Sequence, residues 1–494
     1  MHEAITIKAA DLRVIIGETE ILKGIDFELN RNEGVAIVGE SGSGKTMTVR
    51  SFIGLLPPGA KPYGMYTING KQIELSAGEK QWREIRGSYI GMVMQDPFTA
   101  LDPLKKCGVQ ICEGVTKEKR PSFDVNDALR EVGLPPEIAR RYPFELSGGQ
   151  RQRVVIAAAL ATQPRLLIAD EATTALDVIT QKEILDLIDT IRKQHGMPLI
   201  LITHNIRLAR TRTDRVLVME NGKIVEQGCT KSVLENPQTQ TTKNLIMADR
   251  FLQTSVFSSS RETGEPLLNA DRLNKRFGQV DALIDVSVVL QSGECVGIVG
   301  QSGSGKTTLG RCLVGLTKAD SGQIQYFGQA SPQIVFQNPY SSLNPAHKIR
   351  FIIEEALAAA GRSLDELDEL LTLSELPRDL LNRKPANLSG GQRQRVAIAR
   401  ALAPHPDLLI CDESVSALDV VVQNQILKTL EKLRQERGLS ILFITHDLSV
   451  LRMIADRVYV MNNGRIVESG TAEQIFLEAQ DSYTQALIEA AALC

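Results

Sequence analysis

GESGSGKT at 39–46 returns as GQSGSGKT at 300–307, and three further motifs return in the same order. LSGGQRQRV at 146–154 recurs unchanged at 388–396, LLIADE at 166–171 becomes LLICDE at 408–413, and ITHN at 202–205 becomes ITHD at 444–447. The last three pairs are offset by 242 residues and the first by 261, which implies a 19-residue deletion in the second copy before Gln337. Solenoid repeats have periods of about 20–50 residues. A repeat this long means a duplicated domain, so the chain must build one fold twice.

Each copy has the text of a parallel α/β sheet. Val35-Ala36-Ile37-Val38 is a short apolar run ended by Gly39, as a buried strand entering a glycine turn would be. Lys45 to Leu56 reads as a helix ended by Pro57-Pro58. Leu166–Ala169 and Leu199–Thr203 are further buried strands, separated by a helical stretch from Val178 to His195. Segments 97–145 and 339–387 read mainly as helix and are taken as a helical subdomain in each copy. The serine-rich text near 254–263 predicts a linker, giving a first domain over 1–253, a linker over 254–264 and a second domain over 265–494.

The motifs carry phosphate chemistry. Both glycine loops fit G-x-x-x-x-G-K-[ST] between a strand and a helix. Gly39, Ser41, Gly42 and Gly44, and in the second copy Gly300, Ser302, Gly303 and Gly305, are expected to curl backbone N–H groups around phosphates. Lys45 and Lys306 would reach the β- and γ-phosphates, and Thr46 and Thr307 would give a hydroxyl to Mg²⁺. Asp170 and Asp412, at the end of a strand, suit Mg²⁺ ligation, and the following Glu171 and Glu413 can polarise an attacking water. A single glycine loop with a lysine can arise by chance; two in register with three other repeated motifs do not. In LSGGQ, Ser147 and Gly149, and Ser389 and Gly391, form a second anion-binding helix start in each copy. One nucleotide does not need two cradles from one domain. Head-to-tail pairing within the chain is therefore expected, with ATP held between Lys45 and Ser389 and between Lys306 and Ser147.

Composition excludes little but agrees. Over 494 residues the net charge is −3, which gives no support for nucleic acid as a partner. Seven scattered cysteines without repeated ligand spacing argue for reduced thiols and against a metal cluster. The N-terminal text does not read as a signal peptide, and no apolar run approaches a membrane span of about 18–20 residues.

The order phosphate loop, glutamine, LSGGQ, Asp-Glu, Ala-Leu-Asp, histidine resembles the ABC ATPases over essentially the whole chain. The resemblance implies two ABC ATPase domains, each a P-loop (RecA-like) core with an antiparallel β-region and a helical subdomain, acting on ATP with Mg²⁺. It implies that Gln95 and Gln337 contact Mg²⁺ and the water and sense a transmembrane partner. Asp177 and Asp419 match the family's D-loop, and His204 and His446 match the histidine that contacts the γ-phosphate. A lone histidine after an apolar run is more often structural; its repetition in one context reverses that reading. The aromatic residue that usually stacks on adenine is Phe277 in the second copy, whereas Ile16 stands at the same place in the first. The deletion should trim the antiparallel region of the second domain.

VMQDPFTALDP, VFQNPYSSLNP, YPFELSGGQRQRV and the C-terminal DSYTQALIEA look like the peptide/nickel importer subfamily. That resemblance implies two transmembrane permease subunits as partners, an extracytoplasmic solute-binding protein acting indirectly, and a peripheral position on the cytoplasmic face of the cell membrane. The alternatives are an exporter motor or a soluble ABC ATPase of ribosomes or DNA. Against the latter stand the short linker, where translation-factor relatives carry a long charged one, and the lack of cysteines for zinc-finger insertions. The permeases are expected to dock beside Gln95 and Gln337, on Phe98, Leu101 and Leu104 in one copy and Tyr340, Leu343 and Ile349 in the other. Peptides, nickel or its chelates, and glutathione-like compounds all remain open as solutes.

Overall fold

A computed structural model describes residues 6–94, 96–115, 120–173, 176–254, 264–329, 331–337, 342–415, 418 and 420–493. Gln95, Asp419, Tyr340, Cys494, the side chain of Phe98 and most of the serine-rich segment lie outside the described residues. By internal contacts the chain divides into two units, chiefly Met1–Leu176 with Thr180–Asp249, and Arg250–Ala492.

The first unit begins with two long strands, β1 (Ile7–Ile16) and β2 (Thr19–Leu29), followed by β3 (Gly34–Val38), β4 (Ala60–Ile68), β5 (Lys71–Ile73), β6 (Ile90–Val93), β7 (Leu166–Asp170), β8 (Leu199–Ile202), β9 (Arg215–Glu220) and β10 (Lys223–Cys229). β1 alternates, burying Ile7, Ala9, Leu12 and Val14, because only one face of its antiparallel sheet is covered. That sheet has the order β2-β1-β4-β5. Its alternation slips at Asp11, which takes a left-handed φ of 50° in a bulge between Ala9 and Leu12. Gly64 faces the bulge, and a Cβ there would lie 2.4 Å from the Asp11 carbonyl oxygen.

The second sheet, β10-β9-β3-β8-β7-β6, is parallel except for its edge strand β10. All residues of β3, β7 and β8 are buried, as apolar runs covered on both faces require. The helix Val178–His195 makes the crossover from β7 to β8 over the expected span. The helix after the glycine loop is shorter than its text suggested, Lys45–Phe52. Gly54, at φ 63°, ends it before the prolines: Leu55 N–H donates back to Arg50 O at 2.9 Å, closing the helix in a left-handed turn.

The second unit repeats this plan with β11 (Pro266–Phe277), β12 (Val280–Gln291), β13 (Cys295–Val299), β14 (Ser321–Tyr326), β15 (Gln333–Val335), β16 (Leu408–Asp412), β17 (Ser440–Ile444), β18 (Arg457–Asn462) and β19 (Arg465–Thr471). Its main sheet is β15-β16-β17-β13-β18-β19. The antiparallel sheet has three strands, β12-β11-β14, against four in the first unit. The deletion thus falls on β5 and on the helix Glu79–Ile85, whose Trp82 is buried beside Tyr66 and Gly54. The helical subdomains contain Cys107–Glu113 and Val125–Glu131 in one unit and Ile349–Ala359 and Leu367–Leu373 in the other.

Candidate functional site

In the first unit β8 lies between β3 and β7, with Ile202 paired to Ile37 on one side and Asp170 on the other. The carboxyl ends of these three strands therefore deliver the glycine loop, the Asp-Glu pair and His204 to one edge of the sheet, where ligands of open α/β sheets bind. In the second unit Ile444 plays the same part between Ile298 and Asp412.

The loop glycines have distinct reasons. A Cβ on Gly39 would lie 2.3 Å from Met219 O, and one on Gly300 would lie 2.1 Å from Met461 O. Gly42 and Gly303 both sit at φ 83°, with open space where a Cβ would be. Gly44 and Gly305 are left-handed N-caps without a side-chain cap, which leaves the helix-start N–H groups for a ligand. Ser41, Gly42, Ser302 and Gly303 are exposed at the mouth of each loop. Lys45 is buried and donates to Gly39 O and Glu40 O, both at 2.8 Å; Lys306 donates likewise to Gly300 O and Gln301 O. Burial holds the Lys306 ammonium below its ordinary pKa, against the nearby carboxylates that raise it. Ser43 Oγ is buried with no hydrogen-bond partner among the described residues, a polar atom in a loop whose shape suits an anion.

Thr46 Oγ1 donates to Asp170 Oδ1 at 3.2 Å, and Thr307 Oγ1 to Asp412 Oδ1 at 3.0 Å. Burial, helped by Glu171, pushes the Asp170 carboxyl up to about 6; burial raises Asp412 in the same direction. The adjacent acids go the other way. Burial raises Glu171 and Glu413, but His204 and His446 outweigh it and hold both below the ordinary carboxylate value. Each histidine Nδ1 lies 3.6 Å from its glutamate Oε1. Burial lowers His446 and Glu413 raises it, with a net rise. Neighbouring carboxyls with opposed shifts are chemically distinct, one held toward its neutral form and the other kept ionised. Thr and Asp oxygens fit a hard cation such as Mg²⁺, which takes a few protein oxygens and completes its shell with phosphates and water.

Glu171 and Glu413 have left-handed backbones, φ 45° and 47°. Non-glycine residues hold that conformation only where their surroundings impose it. Here the imposition is visible: Glu171 N–H donates to Ile202 O and Glu413 N–H to Ile444 O, the strand ends next door. Gln337 Nε2 donates to Glu413 Oε2 at 2.6 Å, bringing the second-copy glutamine to the acid; Gln95 lies outside the described residues.

LSGGQ forms a capping box in both units. Ser147 Oγ accepts from Gln150 N–H, and the Gln150 side chain accepts from Ser147 N–H; Ser389 and Gln392 repeat this. The serines stay exposed at the helix start, while Gly149 and Gly391 answer to packing. A Cβ on Gly149 would lie 2.6 Å from Thr180 Cγ2, and one on Gly391 2.4 Å from Val422 Cγ1.

Phe277 ends β11 with 51% exposure and has Lys275 Nζ 5.3 Å from its ring centroid, whereas Ile16 is partly buried against the first unit's core. The hairpin carrying Phe277 touches the phosphate loop: a Cβ on Gly305 would lie 2.3 Å from Ala282 O. Asp177 is buried just before the crossover helix. Three of the residues expected on docking surfaces are corrected. Leu101, Leu343 and Ile349 are buried, because these thin helical layers need them to close their own cores. Leu104 is 85% exposed.

Sequence reasoning passed over Thr203 and Thr445. Each hydroxyl accepts from the N–H two residues on, of Asn205 or Asp447, at 2.9 Å, forming the turn that carries the histidine. Their repetition in ITHN and ITHD was the available signal.

The ABC transporter family matches residues 22–174 and 283–416. A peptidoglycan transport ATP-binding protein YejF of Agrobacterium fabrum is 41% identical, with 94% of this chain and 92% of the relative aligned. A glutathione import ATP-binding protein GsiA of Salmonella choleraesuis is 36% identical over 96% of this chain and 86% of its own. Among solved structures, one described as RNase-L Inhibitor gives a TM-score of 0.65 at 21% identity over 94% of this chain and 91% of that one, a likeness of fold alone. With the family's motif set folded twice around the same strand ends, and relatives aligned over nearly its whole length, this chain belongs to the ABC transporter family as a tandem pair of its ATPase domains.

Proposed function

We propose that the chain is the ATP-driven motor of an importer of small peptide-bearing solutes, held at the cytoplasmic face of the membrane by two permease subunits. What carries the reading is that both sites keep lysine, threonine, the Asp-Glu pair and histidine, in a chain whose relatives are named for peptidoglycan transport and glutathione import. Among the described residues no helix is long and apolar enough to cross a membrane; in this reading the partners provide the crossing.

In each site Lys45 or Lys306 binds the β- and γ-phosphates together with the loop N–H groups. Thr46 with Asp170, and Thr307 with Asp412, hold Mg²⁺, with Gln95 and Gln337 as further oxygen ligands. Bound there, the ion neutralises charge on the phosphates. Glu171 and Glu413, kept ionised by their histidines, orient water for in-line attack on the γ-phosphorus, and the bond to the bridging oxygen breaks. His204 and His446 fix the glutamates through Nδ1 and turn their other ring nitrogen to the γ-phosphate. Phe277 stacks on adenine in the second site, and Ile16 gives the first a plain apolar contact.

Docking of the permeases rests on a duplicated surface feature. Val109, on the helix Cys107–Glu113, and Phe351, on Ile349–Ala359, occupy equivalent positions and are 52% and 49% exposed. Val109 with Leu104 in the first unit, and Phe351 in the second, each offer an apolar surface to a short cytoplasmic helix of a permease. The test is purification of the tagged chain from membranes, followed by ATPase assay with the co-purifying permeases and candidate solutes. Two multispan permeases and stimulation by peptides or peptide conjugates are expected. Recovery with ribosomes, or stimulation by nickel chelates alone, would refute the proposal in its partner or its solute.

A further inference from the structure

The two units end in similar helices that are anchored alike. In the first unit Glu226 of β10 accepts from Gln238 N–H, Thr239 N–H and Thr242 Oγ1 at 2.6–3.0 Å. In the second, Glu468 of β19 accepts from Gln480 N–H and Asp481 N–H, and Asp481 Oδ1 accepts from Tyr483 N–H and Thr484 N–H. Leu487 and Ala490 then bury the helix Ser482–Leu493 in the core. One residue differs in kind. Tyr483 stands where the first unit has Thr241, and its Oη accepts from Gln301 N–H at 2.8 Å.

Gln301 N–H and Gly300 O belong to one peptide group. That carbonyl oxygen also receives Lys306 Nζ at 2.8 Å, and Gln301 O receives it again at 2.8 Å. A hydrogen bond drawn from the N–H of a peptide strengthens its C=O as an acceptor, so the tyrosine and the lysine reinforce each other through one peptide plane. The partly buried ring keeps this oxygen in place, and burial pushes the phenol up to about 12, so it stays neutral and able to accept.

We infer that Tyr483 is a positioning residue of the second ATP site, through which the C-terminal helix fixes the peptide that carries Lys306. It touches no reacting atom. Its effect is to hold the loop in its phosphate-binding shape before nucleotide arrives, and so to tighten ATP binding there without changing the chemical step. The inference rests on Lys306 being a phosphate-binding lysine.

The experiment uses the full-length chain with Lys45→Ala, so that radiolabelled ATP binding and turnover report the second site. Tyr483→Phe, which keeps the ring and loses only the oxygen, is expected to raise the Kd and KM for ATP about three- to tenfold, as loss of one neutral hydrogen bond implies. The kcat at saturation should stay within about twofold. Replacing Tyr483 with 3,5-difluorotyrosine, a weaker acceptor of similar shape, should give an intermediate Kd, which packing alone would not produce. In a Lys306→Ala background, which reports the first site, Tyr483→Phe should change nothing. Unaltered second-site binding by Tyr483→Phe, or equal weakening at both sites, overturns the inference. The Lys45→Ala, Lys306→Ala control separates the two levels: ATP binding that survives it overturns the site reading itself, whereas lost binding there with an unaffected Tyr483→Phe overturns only the role of the tyrosine.

Discussion

Asp170, proposed above to hold a cation, is a buried carboxyl that destabilises the chain when it ionises without one. The residue is 3% exposed, and its carboxyl pKa is raised from 3.8 to about 6. A folded pKa above the unfolded one means that ionisation opposes folding. Well below pH 3.8 the group is protonated in both states and exerts no penalty, and above about pH 6 the penalty is nearly complete. A rise of this size corresponds to about 3 kcal/mol, with roughly half of it present at pH 5. Asp170→Asn removes the charge and keeps an oxygen to accept from Thr46. Without nucleotide or Mg²⁺, the variant's first unit should therefore be more stable than wild type by about 3 kcal/mol at pH 8 and by about half that at pH 5. For a unit of this size that is a Tm rise of about 6–12 °C at pH 8. Differential scanning calorimetry at both pH values, with EDTA present, measures it. Adding Mg²⁺ and ATP should stabilise wild type and reverse the order, because the variant has lost the proposed cation ligand. A variant no more stable than wild type at pH 8, or stabilised equally at both pH values, refutes the argument.

Glu171→Gln with Glu413→Gln should abolish turnover, by at least about 100-fold, while keeping ATP binding, since the amide retains shape but cannot act as an ionised base; phosphate release and equilibrium binding check this. Ile16→Tyr should tighten ATP at the first site by about tenfold or less, the value of one aromatic contact, as read by binding to a Lys306→Ala chain. Val109→Glu with Phe351→Glu should leave basal ATPase intact and abolish permease stimulation; persistent stimulation would move the docking surface elsewhere. Gly149→Ala should lower stability by about 1–3 kcal/mol by overpacking against Thr180, whereas Gly148→Ala, where a Cβ would meet Leu176 at 3.4 Å, should be tolerated; thermal denaturation of the two variants compares them.

The parts legible in sequence were those written in local text. The runs 35–38, 166–169 and 199–203 gave the central strands, because parallel strands covered on both faces read as near-continuous apolar runs. The glycine loops gave the strand-to-helix turns that end at the left-handed Gly44 and Gly305. Helix ends were harder: Pro57-Pro58 drew the boundary too late, since Gly54 already turns the chain left-handed. The docking residues misled because Leu101 and Leu343 look alike in text whether they face a partner or a thin core. The left-handed backbone at Glu171 was invisible, since it comes from a hydrogen bond to a strand end 31 residues away in the chain, at Ile202. Tyr483 was hidden for the same reason, its partner lying 182 residues back.

The deletion that leaves the second unit with a smaller sheet has a spectroscopic consequence. Trp82 is the only tryptophan in the chain, and it sits in the helix that the second unit lacks. Excitation at wavelengths that only indole absorbs therefore interrogates one unit and is silent on the other. The ring is buried, stacked near Tyr66, and in contact with Gly54 at the end of the helix that starts from Lys45. Changes passed along that short helix when the first loop fills should alter its emission, while filling of the second loop should not. A duplicated motor thus carries an intrinsic fluorophore that tells its two nucleotide events apart without a label.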